Sequence, residues 1–252
     1  MDSVATLNLG PDRRIAYHRI EADGDGANLP GLVFLGGFRS DMTGLKAQYV
    51  QEWAQSRGRA CLRFDYRGHG ASSGRFEELG IGDWFDDACA VLEQLTQGPQ
   101  ILVGSSMGGW IALLLARAYP QHVAGLVGLA AAPDFTEDGI WAKLTADEKR
   151  ELAAVGRITL PSEYSDEPYV FTRRLVESGR EHLVLRAPLT TDYPVRLLHG
   201  TEDADVDTSV ALRLLDVLEG TDIQLTLIKG ARHRLSEPRE LALLGATLDT
   251  CL

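Results

Sequence analysis

Short runs rich in apolar residues, some of them uninterrupted, recur along the chain and are separated by stretches with helical spacing of apolar positions. The runs are residues 31–35, 59–64, 101–103, 122–132, 196–199 and 223–228. Such runs are typical of strands that are buried on both faces of a parallel sheet. Their alternation with helical stretches predicts an α/β fold, with a mostly parallel sheet and helices on both of its faces.

The beginning of the chain has a different pattern. Residues 4–9 and 13–20 alternate apolar and polar positions around the turn residues Gly10, Pro11 and Asp12. This alternation predicts a β-hairpin with one solvated face.

Residues 133–190 interrupt the alternation of strands and helices. They are more highly charged, contain several prolines and scattered aromatic residues, and have helical spacing over residues 146–155 and 170–182. Because this segment lies between two predicted core strands, we expect it to fold over the carboxyl edge of the sheet as a lid. The predicted domains are a core, residues 1–132 and 191–252, and a lid, residues 133–190. A surface insertion with no part in substrate binding is the alternative.

A G-x-S-x-G pentapeptide, residues 104–108, lies between the apolar run at 101–103 and a helical stretch of small and apolar residues. A serine at the tip of a sharp strand-to-helix turn has a strained backbone, and its neighbours two positions away must lack bulk. Gly104 and Gly108 satisfy this condition for Ser106, which is therefore the candidate nucleophile. An ordinary turn is the alternative, and the preceding strand and following helix favour the catalytic interpretation.

A serine nucleophile needs a histidine as its base and an acid that orients the histidine. Among the six histidines, His233 follows the last apolar run, which fits the chain order serine, acid, histidine. The others, including His69 between two glycines, are expected to be structural or solvated. The acid should follow the run at 196–199, where a loop contains several carboxylates. Asp203 is preferred because it follows that strand by a short turn, and Asp205 is the fallback.

The negative charge of a tetrahedral intermediate requires backbone amides that already point toward it. One amide is expected from Met107, which follows the candidate nucleophile. The second is expected from Phe38, because Gly36 and Gly37 after a buried strand allow close approach of the backbone. A simple turn is the alternative for the two glycines.

Composition excludes several classes of protein without identifying a reaction. A net charge of −11 over 252 residues argues against binding to nucleic acid or to acidic membrane surfaces. No apolar run approaches the ~20 residues of a membrane-spanning helix, and no basic segment followed by an apolar one indicates a secretory signal. The three cysteines are widely spaced, which suggests neither a disulfide framework nor a metal cluster and fits a reducing compartment.

Several segments resemble the α/β-hydrolase superfamily, and in particular a subgroup of mitochondrial palmitoyl-protein thioesterases and mycophenolic acid acyl-glucuronide esterases. The segments are GFRSDMTG at 37–44, RFDYRG at 63–68, GPQILVGSSMGGW at 98–110, PSEYS at 161–165 and RLLHG at 196–200. The resemblance runs over most of the chain. Its most specific parts are the GPQILVGSS run and the PSEYS segment in the expected lid.

The resemblance implies an α/β-hydrolase fold with an eight-stranded, mostly parallel sheet and a helical lid. It implies hydrolysis of carboxylic esters or acyl thioesters by Ser106, Asp203 and His233, with a small acylated compound as substrate and no cofactor or metal. Arg39 is a candidate contact for a substrate carboxylate, and Trp110 a candidate wall of an acyl pocket. A solvated arginine and a plain core tryptophan are the alternatives.

Other reactions and another location stay open. Carbon–carbon bond hydrolysis and acyl transfer use the same fold and triad, and the serine motif does not distinguish them. A ligand-binding receptor on the same scaffold is disfavoured, because all three triad residues are present. The mitochondrial relatives carry a targeting segment, whereas this chain starts at its first strand, so a bacterial, cytoplasmic location is expected.

Overall fold

The computed structural model describes residues 4–160 and 168–251. Its strands are β1 (Ala5–Asn8), β2 (Arg14–Ile20), β3 (Leu32–Leu35), β4 (Cys61–Phe64), β5 (Gln100–Ser105), β6 (Val123–Leu129), β7 (Arg157–Leu160), β8 (Tyr169–Thr172), β9 (Leu189–Thr190), β10 (Val195–Gly200), β11 (Leu218–Glu219) and β12 (Ile223–Ile228). Its α-helices are α1 (Leu45–Gln55), α2 (Ile81–Leu95), α3 (Met107–Ala118), α4 (Ala146–Val155), α5 (Arg173–Arg180), α6 (Thr208–Val217) and α7 (Pro238–Asp249). Short 3₁₀ turns cover Gly24–Asn28, Phe76–Glu78 and Pro120–His122, and a π-helix covers Phe135–Trp141.

The central sheet has eight strands in the order β1-β2-β4-β3-β5-β6-β10-β12. Only β2 runs antiparallel to its neighbours in this sheet, and the other pairings are parallel. The prediction of an eight-stranded, mostly parallel α/β sheet is therefore confirmed. Leu35 pairs with Gly104, and Ser105 pairs with Leu129. These pairs align the carboxyl ends of β3, β5 and β6, so the loops that follow these strands meet at one edge.

The core consists of two apolar layers, one on each face of the sheet. Because side chains alternate along a strand, Val33 and Leu35 of β3 enter one layer while Leu32 and Phe34 enter the other. The first layer is completed by helices α2, α3 and α6, and the second by α1 and α7. The helical spacing of apolar residues in the sequence is the reason that each helix has a face to bury. None of the described helices combines the length and the apolar composition that crossing a membrane requires.

The segment between β6 and β10 contains the π-helix, α4, the β7–β8 hairpin and α5. The helix predicted over residues 170–182 is wrong at its beginning, since Tyr169–Thr172 forms β8 and α5 covers Arg173–Arg180. Aromatic and β-branched side chains in this stretch favour a strand. Thr172 then ends the strand and caps the helix, because its hydroxyl accepts a hydrogen bond from the Leu175 amide at 3.1 Å. The PSEYS motif, residues 161–165, lies outside the described residues.

Asp134 connects the two ends of this inserted segment. Its carboxylate is buried and accepts hydrogen bonds from the amides of Val184 at 2.8 Å and Leu185 at 3.0 Å. The Arg186 guanidinium donates a third hydrogen bond at 3.2 Å. These contacts hold the start and the end of the insertion together.

Candidate active site

Ser106 lies at a sharp turn between β5 and α3. Its backbone has φ 53° and ψ −117°, a conformation that side-chain-bearing residues rarely adopt. The chain packs tightly around this turn. A Cβ atom added to Gly104 would lie 2.4 Å from the carbonyl oxygen of Gly108, and one added to Gly108 would lie 2.0 Å from that of Leu35. The two glycines of the pentapeptide are therefore required by close backbone contacts.

Ser106, His233 and Asp203 form a continuous line of hydrogen bonds. His233 Nε2 lies 2.9 Å from Ser106 Oγ, and His233 Nδ1 lies 2.8 Å from Asp203 Oδ2. Since a carboxylate only accepts, Nδ1 carries the imidazole proton and Nε2 is free to accept the serine proton. This arrangement suits proton transfer from a hydroxyl nucleophile to a histidine base.

The loop after β10 holds the Asp203 carboxylate in place. The side chain is fully buried, and Oδ1 accepts hydrogen bonds from the amides of Asp205 at 3.0 Å and Val206 at 2.9 Å. Burial by itself would raise the pKa of Asp203, but the hydrogen bond and charge of His233 and the Val206 amide hold that pKa below its usual value. Asp203 is therefore an ionised carboxylate facing the imidazole N–H.

Asp205, the alternative acid, has a different position. Its Oδ2 lies 3.9 Å from His233 Nε2, on the side of the ring that faces Ser106, and its side chain is 34% exposed. The contact with Nδ1, through which an orienting acid acts, is made by Asp203. Asp205 contributes its backbone amide to the support of Asp203.

Two backbone amides lie beside Ser106. Met107 is the first residue of α3, so its N–H has no acceptor within the helix. The amide of Phe38 has no hydrogen-bond acceptor within the part of the chain that the structure describes. A Cβ atom added to Gly37 would lie 3.5 Å from the Ser106 Cβ, so the loop that carries Phe38 runs directly alongside the serine. These amides are suited to bind a developing oxyanion.

A cavity of about 860 Å³ opens above Ser106 and His233. Much of its wall comes from the inserted segment, through Phe135, Ile140, Leu144, Leu160, Tyr169 and Phe171. The Phe38 ring joins this aromatic group, stacking on Phe171 at a centroid distance of 5.8 Å. The lining also includes charged residues, with Lys46, Lys143 and Arg234 as well as acidic groups. The cavity therefore combines an apolar wall with charged groups of both signs.

The two candidate substrate contacts lie in different places. Arg39 lines the cavity, and its guanidinium stands over the rings of Phe76 at 5.0 Å and Tyr169 at 5.8 Å. Trp110 is fully buried and is absent from the described cavity wall. Its indole N–H donates a hydrogen bond to the His182 carbonyl at 2.9 Å. The interpretation of Trp110 as a pocket wall therefore needs correction. Its indole links α3 to the insertion through the hydrogen bond to His182.

Asp203, Asp205 and His233 also form a group of potential metal ligands among the described residues, with ligand atoms within 4.8 Å of one another. Two of the three residues are already joined by the hydrogen bond between His233 Nδ1 and Asp203 Oδ2. The geometry fits proton transfer better than it fits the coordination of a cation.

His69 is a residue whose contribution the sequence did not reveal. Its ring is buried, and Nε2 accepts a hydrogen bond from the Arg39 amide at 3.2 Å, next to the Phe38 amide. A signal existed in its position between two glycines directly after a core strand. The partner lies 30 positions away in the chain, so the sequence did not identify the contact.

Known proteins resemble this chain over nearly its whole length. A model of the serine aminopeptidase S33 family matches residues 31–174. The mouse mitochondrial palmitoyl-protein thioesterase ABHD10 is 36% identical over 248 residues, which make up 98% of this chain and 82% of that protein. The structure of mouse α/β hydrolase domain-containing protein 10 matches with a TM-score of 0.90 and 35% identity, over 98% of this chain and 97% of that chain. A putative hydrolase from Agrobacterium vitis matches with a TM-score of 0.92 and 41% identity, over 99% and 97% of the two chains.

Proposed function

Because this chain belongs to the α/β-hydrolase family, we propose that it hydrolyses carboxylic esters and acyl thioesters through a covalent intermediate on Ser106. The chain is an enzyme of the serine-hydrolase type, as its family membership requires. The observation that carries the choice of residues is the line of hydrogen bonds from Ser106 through His233 to Asp203.

The reaction begins when His233 Nε2 accepts the proton of Ser106 and the serine oxygen attacks the acyl carbonyl carbon. The negative charge that develops on the carbonyl oxygen is stabilised by the amides of Phe38 and Met107. Asp203 stabilises the imidazolium that forms and keeps the proton on Nδ1. His233 then protonates the leaving alcohol or thiol, and the acyl group remains on Ser106.

The second half of the reaction releases the acid. His233 takes a proton from water, and the resulting hydroxide attacks the acyl-enzyme carbonyl. The same two amides stabilise the second tetrahedral intermediate, and the proton returns from His233 to Ser106. Each step uses only side chains and amides that lie in the described site, and none requires a metal or an organic cofactor.

The cavity and the relatives support the proposed substrate class. Relatives at 36% identity are named palmitoyl-protein thioesterases, which supports an acylated substrate for this chain. The apolar wall formed by Phe135, Leu160 and Phe171 suits an acyl group of low polarity. Arg39 at the cavity is oriented by two aromatic rings and is a candidate contact for a negatively charged part of the substrate.

We assign residues 133–190 to a lid and residues 1–132 and 191–252 to the core that carries the triad. The support is the contribution of the insertion to the cavity wall, together with the anchoring of both its ends by Asp134. A cytoplasmic location belongs to the same proposal. Its support is that Cys61, Cys89 and Cys251 all carry free thiols, which fits a reducing compartment.

A substrate panel with the Ser106→Ala variant tests the proposed function. We expect the wild-type protein to hydrolyse p-nitrophenyl butyrate, a palmitoyl thioester and an acyl glucuronide at different rates, and the variant to lose all three activities in parallel. Adding an alcohol acceptor separates hydrolysis from acyl transfer, because transfer yields a new ester instead of the free acid. Binding of these compounds without turnover by the wild-type protein would indicate a receptor and contradict the proposal.

A further inference from the structure

The loop that carries the Phe38 amide contains a strained turn at the next residue. Arg39 has φ 56°, in the left-handed region that favours glycine. A residue with a side chain keeps this conformation only where its surroundings hold it there. The hydrogen bond that its backbone amide donates goes to a second loop, residues 65–70, which follows β4.

His69 makes the contact with the strained residue. Its Nε2 accepts a hydrogen bond from the Arg39 amide at 3.2 Å, and its Nδ1 donates one to the Arg67 carbonyl at 3.2 Å. A backbone amide can only donate and a carbonyl can only accept, so these partners require a neutral imidazole with its proton on Nδ1. A second proton on Nε2 would face the Arg39 N–H and remove the contact.

The surroundings of His69 favour this neutral form. Its ring packs edge-on against Phe76 and Trp84, with centroid distances of 5.0 and 5.2 Å. Burial, with the nearby charge of Arg39, lowers the pKa of His69 to about 4, although the Arg67 carbonyl and Asp41 act in the opposite direction. His69 is therefore an acceptor over the whole range of neutral pH.

Asp65 provides a second contact between the same two loops. Its buried carboxylate accepts hydrogen bonds from the amides of Met42 at 2.7 Å and Ala71 at 2.8 Å. The loop can curl this closely because position 70 is glycine, and a Cβ atom there would lie 2.1 Å from Asp65 Oδ2. The loop with Phe38 is thus held at two points, the backbone amides of Arg39 and Met42.

We propose that His69 is a positioning residue for the oxyanion hole, because its Nε2 holds the Arg39 amide and thereby orients the preceding Phe38 amide toward the substrate carbonyl on Ser106. This inference rests on the proposed function. It assigns to a buried histidine outside the triad a role in the stabilisation of the transition state. Asp65 supports the same loop by accepting a hydrogen bond from the Met42 amide.

Two polar substitutions test this role. Glutamine reaches far enough to offer an oxygen where Nε2 lies, whereas the shorter asparagine offers one only near Nδ1. We expect His69→Asn to lower kcat for p-nitrophenyl butyrate by about 30-fold or more while KM changes by less than about threefold, because part of the oxyanion stabilisation is lost. His69→Gln should retain kcat within about fivefold of wild type. A trifluoromethyl ketone, which forms an oxyanion on the serine, should lose affinity in parallel with kcat.

Hydrogen–deuterium exchange gives a readout that does not depend on turnover. Amides of residues 36–44 should exchange faster in His69→Asn than in His69→Gln or in the wild-type protein. His122→Gln, which changes a histidine in the turn before β6, is the matched control and should leave kcat and exchange unchanged. If circular dichroism shows that His69→Asn does not fold, the test uses kcat and amide exchange of the folded His69→Gln variant. In that case a kcat more than about fivefold below wild type in His69→Gln, with unchanged exchange of residues 36–44, would overturn the role, whereas retained kcat with protected amides would show that an acceptor at the Nε2 position is sufficient.

Equal kcat in the asparagine, glutamine and wild-type proteins would overturn the inference. So would an equal and large loss in both variants with unchanged exchange of residues 36–44, since that result describes a structural defect elsewhere. A failure of the proposed function looks different, because either the wild-type protein would then bind the esters without hydrolysing them or Ser106→Ala would retain hydrolysis. If Ser106→Ala is inactive but the two His69 variants do not differ, only the inference about His69 fails.

Discussion

The imidazole Nε2 of His233 lies 2.9 Å from the Oγ of Ser106, although 127 positions separate the two residues in the sequence. Parallel strands make this contact possible, because β5 and β12 both deliver their following loops to the same edge of the sheet. Proteins of this fold class bind ligands at that edge. The strained turn at Ser106 then lifts its hydroxyl out of the sheet toward the imidazole.

The choice of acid gives the first prediction. Asp203→Asn should lower kcat by about 10⁴-fold, because the amide no longer fixes the proton on His233 Nδ1. Asp205→Asn is the matched control and should lower kcat by less than about tenfold, since that side chain is partly exposed and screened by water. Steady-state kinetics of both variants with one activated ester measures the difference. The reverse ranking would assign the acid to Asp205.

Trp110 is expected to matter for stability and not for turnover. Trp110→Phe removes the hydrogen bond to the His182 carbonyl and should lower the free energy of unfolding by about 1–2 kcal/mol. Trp53→Phe is the control, because the buried Trp53 indole N–H has no partner among the described residues and its loss should cost less. Denaturant unfolding and kcat are measured on both variants. A large change in KM for Trp110→Phe, with stability unchanged, would restore its interpretation as a substrate contact.

Gly108 tests the packing of the serine turn. Gly108→Ala places a methyl group 2.0 Å from the Leu35 carbonyl oxygen, so we expect it to lower stability by about 2 kcal/mol or more and to reduce the labelling of Ser106. Gly125→Ala in β6 is the control, since its nearest neighbour would lie at 3.4 Å. Thermal unfolding and the rate of reaction with a fluorophosphonate check both effects. A Gly108→Ala protein with wild-type stability and labelling would show that the turn has room to relax.

The pH dependence of stability should report His69. The pKa of His69 is lowered from 6.5 to about 4 in the folded protein. Between pH 6.5 and 4, the imidazole is therefore protonated in the unfolded chain but neutral in the folded protein. The contribution of His69 to the free energy of unfolding is therefore fully present above pH 6.5. It falls by about 3 kcal/mol as the pH decreases from 6.5 toward 4. Urea unfolding between pH 7 and 4 should show this extra loss in the wild-type protein relative to His69→Gln. Parallel profiles for the two proteins would contradict a neutral, buried His69.

The sequence was most informative where function depends on local order along the chain. Ser106 was identified because its flanking glycines and its strand–turn–helix context are local, and His233 because loops after parallel strands share an edge. Asp203 was preferred over Asp205 because it follows the strand by a short turn, and the resemblance to a family agreed with that choice, although both residues lie in one acidic loop. In the structure, burial and two backbone amides distinguish Asp203 from its neighbour.

Other features depend on contacts that a linear pattern does not contain. Helical spacing predicts that Trp110 has an apolar environment, but it does not say that the indole N–H meets a carbonyl 72 positions away. Residues 170–172 fit a helix by their spacing, and their pairing with β7 makes them a strand. The proposed role of His69 likewise depends on a contact between the loops after β3 and β4, which are 30 positions apart in the sequence.

The most direct test of the central claim is the mass of the protein after reaction with a fluorophosphonate. We predict a single covalent adduct on Ser106 in the wild-type protein, with simultaneous loss of esterase activity, because His233 makes the Ser106 hydroxyl nucleophilic. Ser106→Ala should acquire no adduct and should lose several orders of magnitude in kcat. An adduct on a different residue, or Ser106→Ala protein that hydrolyses esters at nearly the wild-type rate, would contradict the account.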